Sequence, residues 1–274
     1  MEPGGEAILG GGIVNLARLL WVFFRVGLMN ELAYRANFYV QFVQSLLDLG
    51  VALGSLGVVF AHTDDLNGWL PAELVALLGV YFLMSGLIGT LIQPSMQRFM
   101  EDVRQGTLDF TLTKPEDAQV LVSISEVRIW RLVDVLQGGI VLLLALMQIG
   151  TRTGLGEVLI FGVALIAGGT IVYSFWLILA TFSFWFVRVE NILVIFQSMY
   201  EAGRWPIGIY PRWLKMALTF LVPIAFAVTV PAEALVGRLT GEVLVGAIGL
   251  AVGMLAVARL FWKWGVKQYS GASA

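Results

Sequence analysis

The chain has 274 residues, 58% hydrophobic and 13% charged, with a formal net charge of −2 and a mean hydropathy of +0.85. Soluble domains sit near ~45–50% apolar and ~25% charged, so the composition is that of a multi-pass membrane protein. With no cysteine and His62 as the single histidine, disulfides, thiolate nucleophiles and histidine metal clusters are excluded.

Residues 1–12, "MEPGGEAILGGG", lack a basic n-region and read as a flexible leader. In residues 13–35, Asn15, Arg18 and Arg25 recur at helical spacing among Leu, Trp and Phe. That pattern suits an amphipathic helix lying on the membrane surface. A buried first span is the alternative, and it would have to carry two unpaired arginines in hydrocarbon.

A spanning helix needs ~20 mainly apolar residues. Such runs lie at about 38–60, broken only by Asp48, and at about 74–92, 132–149 and 158–186. Beyond them the pattern is less regular. One reading makes 188–215 a loop and 216–235 an ordinary span. The other places a short fifth span at 189–203, followed by a re-entrant hairpin at about 212–235 that turns at Pro223. Positive-inside counting favours the first reading, since it keeps Arg204, Arg212 and Lys215 inside. Pro206, Pro211, Pro223 and Pro231 favour the hairpin, because proline breaks helices and broken backbone at membrane depth must be shielded by protein or water. A last span follows at 243–262. The expectation is one all-α membrane domain over 13–270, with six spans, an interfacial helix, a polar cytoplasmic helix and an external hairpin.

Loop 61–73 has no Lys or Arg, whereas 93–131 carries Arg98, Arg104, Lys114, Arg128 and Arg131. Basic residues mark the cytoplasmic side, so both termini and the segment 98–117 are expected inside. Asn37, Gln41, Gln44 and Asp48 are spaced by four, three and four and share one face of the first span, with Ser45 beside them. This stripe faces either a translocation path or an opposing subunit, or else joins a structural network with groups such as Asp134, Gln137, Glu190 and Glu201. The GxxxG pairs Gly50/Gly54 and Gly249/Gly253 allow close helix approach, most simply inside the subunit.

The segment "VRQGTLDFTLTKPEDAQVLVS", 103–123, resembles the cytoplasmic segment of permease subunits in the type-2 class of ABC exporters. "FWFVRVENI", "GRWPIGIYPRWL" and "PIAFAVTVPAEAL" resemble the later half of one bacterial subfamily. The resemblance covers about 30–270. It implies that the polar segment is a coupling helix seated in a groove of an ABC ATPase. Gly106 would free the backbone for the turn before it. Arg104 and Asp109 would supply polar contacts, Leu108, Phe110 and Leu112 an apolar anchor, and Pro115 the exit, with Thr107 and Lys114 also among the coupling residues. It also implies a second homologous permease or a copy of this chain as partner, and location in the bacterial plasma membrane.

A phosphate-binding loop needs Gly–x4–Gly–Lys–Ser/Thr. The four lysines here precede Pro, Met, Trp and Gln, so ATP and magnesium are expected in a partner subunit, and this chain is expected to hold no cofactor and no metal. The partners expected are that ATPase, another permease and membrane lipid, with no nucleic acid. An intramembrane lipid-processing enzyme would want a His, a Cys or a clustered acid pair, and a passive channel a pore-lining ring of charges or carbonyls. Both find thin support.

Overall fold

The computed structural model describes Arg25, Met29 and residues 35–150, 154–186 and 190–269. The expected leader and nearly all of the interfacial segment 13–35 lie outside the described residues. Among those described, every regular element is helical, with one isolated bridge, Leu66 to Trp69. Five helices are long and apolar enough to cross a bilayer: Tyr39–Phe60, Pro71–Gln105, Ile129–Ile149, Gly156–Phe184 and Gly241–Val266. A further pair, Arg212–Phe220 and Ala225–Leu235, is apolar enough only when taken together and bends by 76°.

Helix α1, Arg35–Phe60, leads through a short loop to α2, Pro71–Leu87. The sequence expectation ended this second span near residue 92. The rod instead continues through a π-helical turn, Ile88–Ile92, into α3, Gln93–Gln105. Pro94 explains the widened turn. It has no N–H to donate to the Thr90 carbonyl four residues back, and its ring crowds that carbonyl. The freed Thr90 oxygen accepts the Arg128 amide at 3.0 Å instead. Charges from Arg98 onward mark where the helix leaves hydrocarbon; they do not end it.

Two short helices follow, α4 at Asp109–Leu112 and α5 at Ala118–Ser123. Then come α6, Leu132–Ile149, and α7, Leu155–Thr181. The expected fifth span is α8, Glu190–Tyr200, whose 11 residues reach about 16 Å, half of what a crossing needs. The chain continues as 3-10 turns at Glu201–Arg204 and Ile207–Ile209 with Pro206 between them. By Gly208 it has reached loop 61–70, since a Cβ there would stand 2.5 Å from the Asn67 amide nitrogen. The stretch from Glu190 to Ile209 is therefore half helix and half irregular. Gly203 is one cause, because its missing side chain admits Ile224 and Val228.

Helix α9, Arg212–Met216, opens the bent segment, and α10, Val230–Leu235, closes it. The Arg238 guanidinium beyond α10 donates to Glu73 at 2.6 Å and lies over the ring of Trp69. Both ends of 208–238 thus meet loop 61–73. The segment between them enters the bundle, turns at Pro223, and returns to the same end, as a hairpin. Its inner part packs against α7, where Gly168 lets the Phe226 carbonyl and the Ala227 Cα, 3.1 Å from a would-be Cβ, come close. Helix α11, Gly241–Val266, runs back to the opposite end.

Most of α2 is buried at the bundle centre. It meets α6 with backbones in near contact. A Cβ on Gly79 would stand 2.8 Å from the Leu142 nitrogen, and one on Gly138 would stand 2.6 Å from the Gly79 oxygen. Gly50, Gly54, Gly249 and Gly253 behave otherwise. Among the described residues nothing lies within 4 Å of their would-be Cβ atoms, so the expected packing of these pairs inside the subunit is not seen there. Their helices α1 and α11 present long exposed apolar faces instead.

Gly138→Ala should therefore lower stability by about 1–3 kcal/mol, since backbone on both sides must shift. Gly50→Ala should be neutral or slightly stabilising, because glycine is a poor helix former. Thermal unfolding in detergent compares the two. Equal melting temperatures would contradict the packing described.

Candidate functional site

The polar segment 98–117 lies at the end of the bundle opposite loop 61–73. Helix α3 ends at Gly106, whose φ of +71° is left-handed, a conformation that costs other residues about 1–2 kcal/mol. The reversed chain is held by the Asp102 carbonyl, which accepts the Thr107 amide at 2.9 Å, and by the Thr107 hydroxyl, which donates to the Asp102 carboxylate at 3.0 Å. Helix α4 follows as a single turn. Thr113, Lys114, Pro115 and Glu116 then stand exposed before Asp117 caps α5 by accepting the Gln119 amide at 3.0 Å.

The expected apolar anchor is divided. Leu108 is 0% exposed and belongs to the core of this chain, and Leu112 is half-buried against it. The expectation that both face a partner is corrected: the one-turn helix must hold itself to the bundle, and these two leucines do so. Phe110 remains outside, 75% exposed. Arg104 is exposed and pairs with Glu101 one turn back, and Asp109 is half-buried.

A latch joins this segment to the last helix. The Arg259 guanidinium of α11 grips both oxygens of Asp117, and its Nη1 also donates to the Gln119 side-chain carbonyl at 2.8 Å. The Gln119 amide donates to the Tyr173 hydroxyl of α7 at 3.3 Å, and Ser123 lies 2.7 Å from the same hydroxyl. Two-point arginine–carboxylate pairing fixes direction as well as distance. The Arg259 guanidinium beside Asp117 holds its carboxyl below the ordinary carboxylate range. Because the carboxyl is depressed, the pair is complete above that ordinary range and is lost only as pH falls through the lowered value. Tyr269, beyond α11, lies tilted against Phe184 with ring centroids 5.8 Å apart, close to Leu108 and Asp109.

These latch residues were missed in the sequence, though two signals were present. Asp117 directly precedes an apolar run, as helix-capping residues do. Arg259 sits in the final turns of a span, where a charged side chain has to find a partner.

Within the membrane part, the stripe on α1 divides too. The buried member is Ser45, whose hydroxyl lies between Asp134 and the Gln137 carbonyl oxygen, 2.6 Å from the latter. The Gln137 amide donates to the Ser45 carbonyl at 3.1 Å, and Arg131 donates to Asp134 at 3.2 Å. The structural network thus exists with its expected α6 partners, but through Ser45. Gln44 and Asp48 are exposed, Gln41 is half-buried, and Asn37 lies on the first turn of α1. The Asp48 charge is within electrostatic reach of Arg204, which itself lies over the Tyr81 ring. Among the described residues, no group of three or more His, Asp or Glu could hold a metal ion.

Ser45→Ala would remove the one hydroxyl proton shared between the Asp134 and Gln137 oxygens and leave one of them short of a donor, at a cost of about 1–3 kcal/mol. Asp48→Asn should melt with wild type and alter transport instead. Melting temperatures of the two variants decide it, and a stable Ser45→Ala beside an unstable Asp48→Asn would reverse the assignment.

The model of a family described as "ABC-2 family transporter protein" matches residues 46–273. No curated protein matches the chain, and no solved structure does. The family match runs from within α1, through the reversed segment and the bent hairpin, to past the end of α11. A bundle of apolar helices with one self-clamped polar turn at one end is thus that of a multi-pass membrane protein, and the chain belongs to the ABC-2 transporter family as its membrane permease component.

Proposed function

We propose that this chain is the permease subunit of an ATP-driven exporter in a bacterial plasma membrane, with the segment 98–117 in the cytoplasm as its coupling helix. ATP and magnesium would bind a separate ABC ATPase. The observation that carries this reading is Phe110. It is an aromatic ring 75% exposed at the polar end of the molecule, on a turn whose other apolar residues are turned inward. A ring held out in this way suits a pocket on another protein, where aromatic anchors dominate binding energy. Arg104, Lys114 and Glu116 around it are exposed and suit a polar rim.

The mechanism follows from how the turn is held. Nucleotide-driven closure of the ATPase would push on Phe110. Because Leu108 is packed in the core, the turn cannot move without its surroundings. Displacement passes through Asp117 and Arg259 to α11, and through Gln119 and Ser123 to Tyr173 on α7. Those helices frame the hairpin and the half-irregular stretch 190–209, whose broken backbone is the part best able to rearrange.

A second permease, or a copy of this chain, is supported by Asp48. Its position lies near the middle of Tyr39–Phe60, where an ionised group facing lipid costs several kcal/mol. An exposed carboxylate there calls for cover from outside the chain, in the form of a second subunit or a water-filled path. Basic residues gather at the coupling end, including Arg98, Arg104, Lys114, Arg128, Arg131, Lys263 and Lys267, and support its cytoplasmic placement.

Phe110→Ser should leave melting unchanged and lower co-purification of the ATPase by about tenfold or more. Leu108→Ala should instead destabilise the permease itself by about 2–5 kcal/mol. Undiminished ATPase binding by the Phe110 variant would overturn the docking reading.

A further inference from the structure

The π-helical turn has a consequence besides lengthening the second rod. A cleft of about 370 Å³, its open side included, lies beside it, between the α2–α3 rod, Arg131 ahead of α6, and helices α7 and α8. Gly89 makes room in its wall: a Cβ there would stand 3.2 Å from the Arg131 side chain, so the arginine lies flat across the widened turn. The Arg128 amide, donated to the Thr90 carbonyl, anchors the chain just ahead of it. π-Turns inside long helices are frequent at functional sites.

The lining is amphipathic and its donors exceed its acceptors. Arg131 gives one N–H to Asp134 and keeps its side chain 44% exposed. Trp176 lines the cleft, is 1% exposed, and has its indole N–H buried with no acceptor. A buried donor without a partner costs about 1–3 kcal/mol, and a ligand that supplied an acceptor would recover it. Gln93 and Gln197 face each other across the cleft at 3.4 Å, a long contact that a third polar group could shorten. Phe196 meets Trp176 edge-on at 5.1 Å and supplies an apolar wall. Arg131 precedes α6 at the coupling end of the bundle, so the cleft lies near that surface of the membrane.

We propose that this cleft binds an anionic oxygen-rich group, a phosphate or carboxylate, with Arg131 and Trp176 as its donors and Gln93 and Gln197 at its mouth. Anionic amphiphiles in the adjoining leaflet and free anions share this chemistry. The apolar wall of Phe196 and Trp176 favours the amphiphile. As a loading site for exported substrate the cleft rests on the permease reading; as a binding site it stands on its own residues.

The absence of cysteine makes a direct test available. Gln197→Cys places a thiol at the cleft mouth, and its modification is followed with methanethiosulfonates carrying a sulfonate or a trimethylammonium group. The sulfonate reagent should react faster by roughly twofold, because the Asp134 carboxylate 3.2 Å from Arg131 offsets part of its charge. Adding Arg131→Gln should remove that preference. Dodecyl phosphate should protect the thiol, and Trp176→Phe, which removes the indole N–H together with part of a buried ring, should weaken protection several-fold at a temperature where that variant, itself less stable, is still folded. Protection by inorganic phosphate at equal concentration would identify a free anion, and protection by dodecyl phosphate alone an amphiphile. No charge preference together with no protection by either phosphate overturns the proposal. Because the labelling needs no ATPase, that result would leave the permease reading standing, whereas a chain that binds anions but recruits no ATPase would overturn only the latter.

Discussion

A charged arginine near the end of the last helix has to be paired, and the carboxylate that pairs it belongs to the segment just after the reversed turn at Gly106. The contact between Arg259 and Asp117 therefore ties together two parts of the chain far apart in sequence. It fixes where α5 enters the bundle, which brings Gln119 and Ser123 to Tyr173. It also sets the far boundary of a reversed segment whose near boundary is Gly106. With both boundaries held and Leu108 packed between them, one helical turn that would be unstable alone becomes a rigid protrusion. Tyr269 closes the same region from the C-terminal side, and the rings of Phe99, Phe184 and Trp262, with centroids 5.0 to 6.0 Å apart, lie beneath it.

The two sides of the bundle differ in kind. Inside, glycines bring backbones together, as at Gly79 and Gly138, and dispersion over a close contact replaces the hydrophobic drive that lipid does not supply. Outside, Gly50, Gly54, Gly249 and Gly253 meet nothing, and Gln44 and Asp48 stand on an exposed face of α1. Polar groups exposed among the described residues suit a subunit that completes its surroundings by association.

Composition made the all-helical membrane character legible, and proline spacing pointed to the break at Pro223, where the helix pair bends by 76°. The reversed segment could be read from its polarity between apolar runs. What could not be read follows from what hydropathy measures. It reports contact with lipid, so the second helix looked finished where Arg98 and Glu101 begin, although helix geometry continues to Gln105. Spacing by three and four says that Asn37, Gln41, Gln44 and Asp48 share a face, but not which face is inside. Ser45, one residue round the helix, was the one turned toward Asp134. An alternating Leu108–Phe110–Leu112 pattern likewise marks three apolar residues without saying that two point inward. The irregular stretch after α8 depends on Gly203 admitting Ile224, a contact between parts of the chain that no local pattern announces.

The central claim is that force reaches the last helix through the Asp117–Arg259 pair. The direct measurement is a double-mutant cycle in reconstituted complexes with the partner ATPase, reading transport per ATP hydrolysed for Asp117→Arg, Arg259→Asp and the two together. The account predicts that each single change lowers transport per ATP while hydrolysis continues, and that the exchanged pair restores a substantial part of it. Full coupling in both single variants, or an exchanged pair no better than the worse single change, would contradict it.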